Sequence, residues 1–165
     1  MLARMTAALA LALSLNGGLA QAQDLIPWGE SDYWKVMIDP TLGNGCLIQG
    51  EFADGSVVRI GLDRTTGSGY VTFFNEAWDD VVDGEVYPVS FALDGEQFEG
   101  QAKSMHLNGV PGADIAFDNV DFFMSIAQRQ TMTMYEDGEE SVSIDLTGTG
   151  AGLEAVLMRT VTKAG

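Results

Sequence analysis

The sequence predicts a mainly β protein: an antiparallel β-sandwich or partly closed barrel of about eight strands with two short helices. Three observations predict it. Most runs between polar breaks alternate apolar and polar residues with a period of two, as strands with one buried face do. Asn-Gly or Asp-Gly pairs, which accept the positive φ angles of tight reversals, recur at Asn44, Asp54, Asp83, Asp94 and Asp137. Most connections are also too short for the helical crossovers that parallel strands need.

The first run, Tyr33 to Asp39, sets Trp34, Val36 and Ile38 against Lys35 and Met37. Pro40 and Asn44-Gly45 turn the chain into a second strand, "CLIQGEF" (46–52), expected to pair back on the first. After Asp54-Gly55, "VVRIGLD" (57–63) alternates Val58, Ile60 and Leu62 with Val57, Arg59 and Gly61, a third antiparallel strand. "TTGSG" reads as a flexible loop, Tyr70 to Asn75 as a fourth strand, and Val86 to Asp94 as a fifth, where Pro88 favours a sheet edge or an irregular start. Asp94-Gly95 turns the chain into "EQFEGQAK", and "SMHLNG" (104–109) is expected to be an exposed loop.

The second half is mixed. Ala113 to Asn119 reads as a strand leading into a helix over 120–128, with Asn119 as N-cap and Phe122, Phe123 and Ile126 at helical spacing, a lid on the core. "TMTMYE" and "ESVSIDL" form a hairpin about Asp137-Gly138. Thr149 is expected to cap a final short helix carrying Leu153, Val156 and Leu157 at i, i+3 and i+4. One core is expected to gather Trp34, Val36, Ile48, Phe52, Ile60, Phe91, Phe98, Met132, Met134 and Ile144, each on the apolar side of its run.

The N-terminus divides from this pattern. Arg4, an apolar run from Met5 to Leu15 and the small residues Ala20 and Ala22 read as a secretory signal peptide over 1–22, cleaved after Ala22. The apolar run is short for a membrane anchor, and no cysteine directly follows it for lipid attachment. Residues 23–165 are then a single β-rich domain, periplasmic or secreted, long enough to fold without disulfides or metals. The chain carries 8 basic and 24 acidic residues, a net charge of −16, and cleavage would remove only Arg4. A field of that sign repels phosphate backbones and anionic lipid head groups, so a monomer binding neither nucleic acid nor membrane is expected.

The search for chemistry yields few constellations. Cys46, the only cysteine, cannot close a disulfide within the chain, and its strand pattern with Ile48 and Phe52 directs the thiol into the core, which weighs against a nucleophilic dyad with His106, the only histidine. The acidic stretch 75–85 offers Glu76, Asp79, Asp80 and Asp83 as oxygen ligands for calcium, but Val81 breaks EF-hand spacing, and a solvated connection pinned by an inward Trp78 is the alternative. Met105, His106, Met132 and Met134 suggest a Cu(I) site, weighed against methionines that simply fill a core. Gly148, Gly150 and Gly152 in "TGTGAG" lack the P-loop lysine and the dinucleotide pattern, and fit tight strand-to-helix packing instead.

Together, "YWKV", a cysteine opening the next strand, "FADGSVVRIGLD", "EAWDDVVDGEVYPVSFALDGEQFEG" and "IDLTGTGAGLEAV" resemble a group of short exported β-rich proteins of Gram-negative bacteria. More remotely, the chain is similar to the invasion-associated locus B proteins. The resemblance covers most of residues 23–165 and carries no catalytic signature. It implies a second cysteine after the "L-x-G-T" segment that bridges the one in the second strand; here that region reads "LMRTVTKAG", so Cys46 stands as the remnant of such a pair. The expectation is a periplasmic, non-enzymatic domain that binds another protein or a small ligand, with no catalytic, cofactor or metal residue assigned. The alternatives are a carboxylate-dependent hydrolase and a periplasmic copper carrier.

Overall fold

A computed structural model describes residues 24–136 and 138–162. The proposed signal peptide, Asp137 and the side chain of Val156 lie outside the described residues. The protein is mainly antiparallel β, one open sheet of ten strands with two helices. The strands are β1 (Ile26–Ser31), β2 (Trp34–Asp39), β3 (Gly45–Glu51), β4 (Val57–Asp63), β5 (Ser68–Phe74), β6 (Val86–Leu93), β7 (Glu96–Leu107), β8 (Val110–Phe117), β9 (Thr131–Glu136) and β10 (Glu139–Asp145). Helix α1 spans Val120–Ile126 and α2 Thr149–Thr162.

Spatial order is β1-β2-β3-β4-β5-β8-β7-β6-β9-β10. The meander β6-β7-β8 folds back so that β8 lies beside β5, a Greek-key arrangement whose long connection is the acidic loop 75–85. The two sides of the sheet are joined by side chains: Tyr33 Oη donates to the Asp145 carbonyl, and Trp34 Nε1 donates to the Thr147 carbonyl at 3.0 Å. The sheet is open, with β1 and β10 as its edges, and these bonds draw its two sides together.

The inner faces of the strands form one core. Trp34, Val36, Ile48, Ile60, Phe91, Met132, Met134 and Ile144 are buried in it, as expected, while Phe52 and Phe98 are partly buried and pack against it. Asn119 accepts a hydrogen bond from Phe122 N at 3.0 Å, capping α1, and Phe123 and Ile126 of that helix are fully buried. Gly69 makes this docking possible, because a Cβ there would run into the Phe123 ring. Helix α2 packs chiefly on β3 and β2.

Several sequence expectations are corrected. Strand β1 was not expected: nearly all of it is exposed on both faces, so it carries no alternation to read. The left-handed pair before β3 is Gly43-Asn44 (φ +67° and +58°), with Gly45 already inside the strand against the Leu62 carbonyl. Residues 104–107 continue β7, and the reversal is Asn108-Gly109 (φ +52° and +83°). On that face of the segment stand the buried Ser104 and the exposed His106, so a strand there lacks the apolar signal. Thr149 is the first residue of α2 and its buried Oγ1 has no hydrogen-bond partner, whereas the Gly148 carbonyl accepts the first helical bond from Gly152 N at 3.4 Å, which puts Gly148 in the capping place. Pro88 fits its strand because β9 pairs with β6 only over Ser90–Leu93, leaving Pro88 where β6 has β7 alone.

Two stability outcomes follow from this packing. Gly69→Ala should cost about 1–3 kcal/mol in a denaturant melt through overpacking against Phe123, and an unchanged midpoint would refute the docking of α1. Cys46 is 5% exposed on the inner face, so maleimide labelling should be slow until the protein is denatured, and Cys46→Ala should cost no more than ~2 kcal/mol for its small cavity. Rapid labelling of the native protein, or a reductant-sensitive dimer band on a gel, would show the sulfur at the surface.

Candidate functional site

Beyond Ser90 the β6–β9 ladder ends, and β6 continues through Val89 to Val86 beside β7 alone. The gap opens a cleft of about 630 Å³. Its depth comes from small side chains on the inner faces of β7 and β8: Ala102, Ser104 and Ala113. Val89, Ile115, Phe73, Met134 and Val142 line it as apolar walls. The volume lies in the range of about 300–1,000 Å³ common for small-molecule sites.

The acidic loop 75–85 lies along this cleft and is anchored at both ends. Asn75 N donates to the Pro111 carbonyl at 3.1 Å, the Asn75 side-chain amide donates to Ser56 Oγ at 2.9 Å, and Trp78 N closes a turn on the Asn75 carbonyl at 3.2 Å. At the other end, Ser104 exchanges two backbone bonds with the loop, donating from its N to the Glu85 carbonyl and accepting from Gly84 N, both at 2.8 Å. Ser104 Oγ, buried, is also bonded to the Val82 carbonyl at 2.7 Å and the Glu85 carbonyl at 3.0 Å. His106 Nδ1 lies 2.6 Å from Asp83 Oδ1. Trp78 packs inward against the core and lines the cleft, as the sequence suggested. Around it stand Asp79, Asp80, Glu85, Tyr87 and Tyr135, and among the described residues no lysine or arginine lines the cavity.

The residues singled out from sequence fall as follows. Asp79 and Asp80 line the cleft, Asp83 turns to His106, and Glu76 is exposed; among the described residues, no group of three or more His, Cys, Asp and Glu is placed to hold a metal ion. Met132 and Met134 share the inner face of β9, and Met134 reaches the cleft wall. Met105 and His106 are consecutive in β7, so strand alternation sends them to opposite faces and the four proposed copper ligands do not gather. Cys46 is the second residue of β3, four strands from β7 in the sheet, and His106 stands at the far end of β7 beside the Asn108-Gly109 turn, so the two make no dyad. Gly152 lets α2 approach Ile48, and Gly148 lies against the Asp32 carboxylate, so these glycines serve helix packing.

Outside the cleft, one carboxyl has its affinity for protons raised. Asp114 lies on the outer face of β8, its neighbours Ala113 and Ile115 pointing into the cleft. It accepts a hydrogen bond from Thr72 Oγ1 at 2.5 Å and pairs in register with Lys103. Burial pushes its pKa above the ordinary 3.8, against the pull of Thr72 and Lys103. Asp63 also raises it, but that carboxylate is engaged by Thr65 and Thr66 in the β4–β5 turn.

Sequence reasoning found the loop and Trp78 but missed the floor of the cleft. Ala102, Ser104 and Ala113 carry no chemical signature, and the only available signal was a patch of small residues on the inner faces of two neighbouring strands. No protein-family model, curated protein or solved structure matches this chain. Among the described residues, no helix is long and apolar enough to cross a membrane.

Because burial raises the Asp114 pKa above its unfolded value, the native state keeps a proton that the unfolded chain has released, and stability falls as pH rises above the ordinary carboxylate value. Asp114→Asn keeps an acceptor for Thr72 and removes that loss, so its melting temperature relative to the unsubstituted protein should be higher at pH 7 than at pH 3. A difference that does not change with pH would show the carboxyl to be unperturbed.

Proposed function

We propose that this chain is an exported, non-enzymatic binding domain that takes a small ligand in the cleft beside loop 75–85. The carrying observation is the cleft itself, about 630 Å³ deepened by Ala102, Ser104 and Ala113 and bordered by a loop fastened at both ends. Cavities of this kind at the mouths of curled antiparallel sheets serve as ligand seats. The polar groups that bond at this place, Ser104 and the His106–Asp83 pair, are spent on the loop and not on an acid–base pair. The signal-like N-terminus and the resemblance to short exported β-rich proteins support a periplasmic or secreted location, and the acidic surface favours a monomer.

A hydrolytic role would need two carboxyl groups about 5–10 Å apart in one cleft, one of them with a raised pKa. Asp114, the carboxyl raised by burial, faces away from the cavity. The reading therefore rests on binding.

Titration with the neutral fluorophore N-phenyl-1-naphthylamine tests it. One probe should bind per chain, and Ser141→Trp, which adds bulk at an exposed position lining the mouth, should weaken binding about tenfold or more. Ala113→Leu, which fills the floor, should act the same way in protein that still melts cooperatively. Binding that survives both substitutions, or no saturable binding at all, would overturn the cleft as a ligand seat.

A further inference from the structure

We propose that the occupant of the cleft is a cationic amphiphile, an aliphatic or aromatic body carrying an amine or quaternary ammonium head. This rests on the binding role given above and adds the charge and build of the ligand. The inner part of the cavity is walled by Val89, Ala102, Ala113, Ile115, Met134 and Val142, all buried, which suits an apolar body and leaves no partner for a charge placed deep. The outer part has the opposite character. Asp79, Asp80 and Glu85 are exposed on the loop and line the same cavity, and among the described residues no lysine or arginine offsets them there.

The aromatic side chains at this level sharpen the choice. Trp78, Tyr87 and Tyr135 line the cavity together with those carboxylates, and a cation held near aromatic faces gains attraction that an anion does not. His106, the only histidine, is directed at Asp83 and does not line the cavity, so among the described residues no basic group is placed to receive a carboxylate or phosphate head. A fatty acid or phospholipid would bring its negative charge against three carboxylates in a chain of net charge −16. A neutral amphiphile would fill the floor and leave the carboxylates unused. An ammonium head satisfies both levels of the cleft at once.

Displacement of N-phenyl-1-naphthylamine by three amphiphiles with the same chain, each below its micellar concentration, decides this: dodecyltrimethylammonium, dodecyl maltoside and dodecanoate. The cationic probe should displace the fluorophore at about tenfold lower concentration than the neutral one, with the anionic probe weakest. Asp79→Asn, Asp80→Asn and Glu85→Gln, singly and combined, should erase that advantage while leaving the maltoside unchanged. A control lacking Glu30 and Glu99, two exposed carboxylates away from the cleft, should retain it. If the combined rim variant fails to melt cooperatively, the single variants carry the comparison. Equal displacement by the cationic and neutral probes, or an advantage lost equally in the control, would overturn the charge assignment and leave the binding role intact. Failure of the fluorophore itself to bind would remove the binding role and this inference with it.

Discussion

A ten-stranded sheet that is apolar on one face must fold that face away from water, and here it does so by curling until its two sides meet. Trp34 is where the curl is fastened. Its ring is fully buried, with Gly50 leaving the space that a Cβ would contest at 2.9 Å, and its indole N–H reaches the Thr147 carbonyl across the sheet. Tyr33 makes a parallel link to Asp145, and Ser31 Oγ donates to the Gly148 carbonyl at 3.2 Å. These bonds attach the segment between β10 and α2 to the start of β2. They place α2 over β2 and β3 and decide which inner faces confront one another.

The interior of the curled sheet is filled unevenly. Around α1 the inner space is taken by Phe91, Phe98, Phe117 and Phe122, whose rings lie within 5.0 to 6.4 Å of one another, and by Phe123 seated over Gly69. Beside loop 75–85 the corresponding positions on β7 and β8 hold Ala102, Ser104 and Ala113. Side chains of that size cannot span the interior of a curled sheet, so the space remains as a cavity. The same strands thus build a dense aromatic end and an open end, through the difference in side-chain volume and the end of the β6–β9 ladder.

Legibility in the sequence followed the same division. Strands β2 to β5, β9 and β10 could be read because their inner residues are large and apolar, and α1 because Asn119 and the Phe122, Phe123, Ile126 spacing are local signals. Strand β1 was invisible since it is exposed on both faces, and the end of β7 since the one buried residue there is Ser104 and His106 is exposed. Strand order was also beyond reach, because β5 pairs with β8 across a Greek-key connection that no neighbouring residues announce. The loop announced itself by charge, but the cavity floor is made of residues whose contribution is to be small, and smallness has no periodicity to detect.

The loop also shows how a cluster of like charges can be held in place. Five carboxylates, Glu76, Asp79, Asp80, Asp83 and Glu85, fall within 75–85, and their mutual repulsion favours an open, solvated segment. Of the five, Asp83 alone has a basic group bonded to it among the described residues. What fixes the loop is chiefly neutral: backbone bonds at Asn75, Gly84 and Glu85, the Ser104 hydroxyl, and the inward packing of Trp78. Anchors of that kind leave Asp79, Asp80 and Glu85 exposed at the mouth of the cavity, where they add to the field of a strongly acidic chain. Shape is then set by Ala102 and Ala113 and charge by the loop, and the two properties can change independently because no residue serves both.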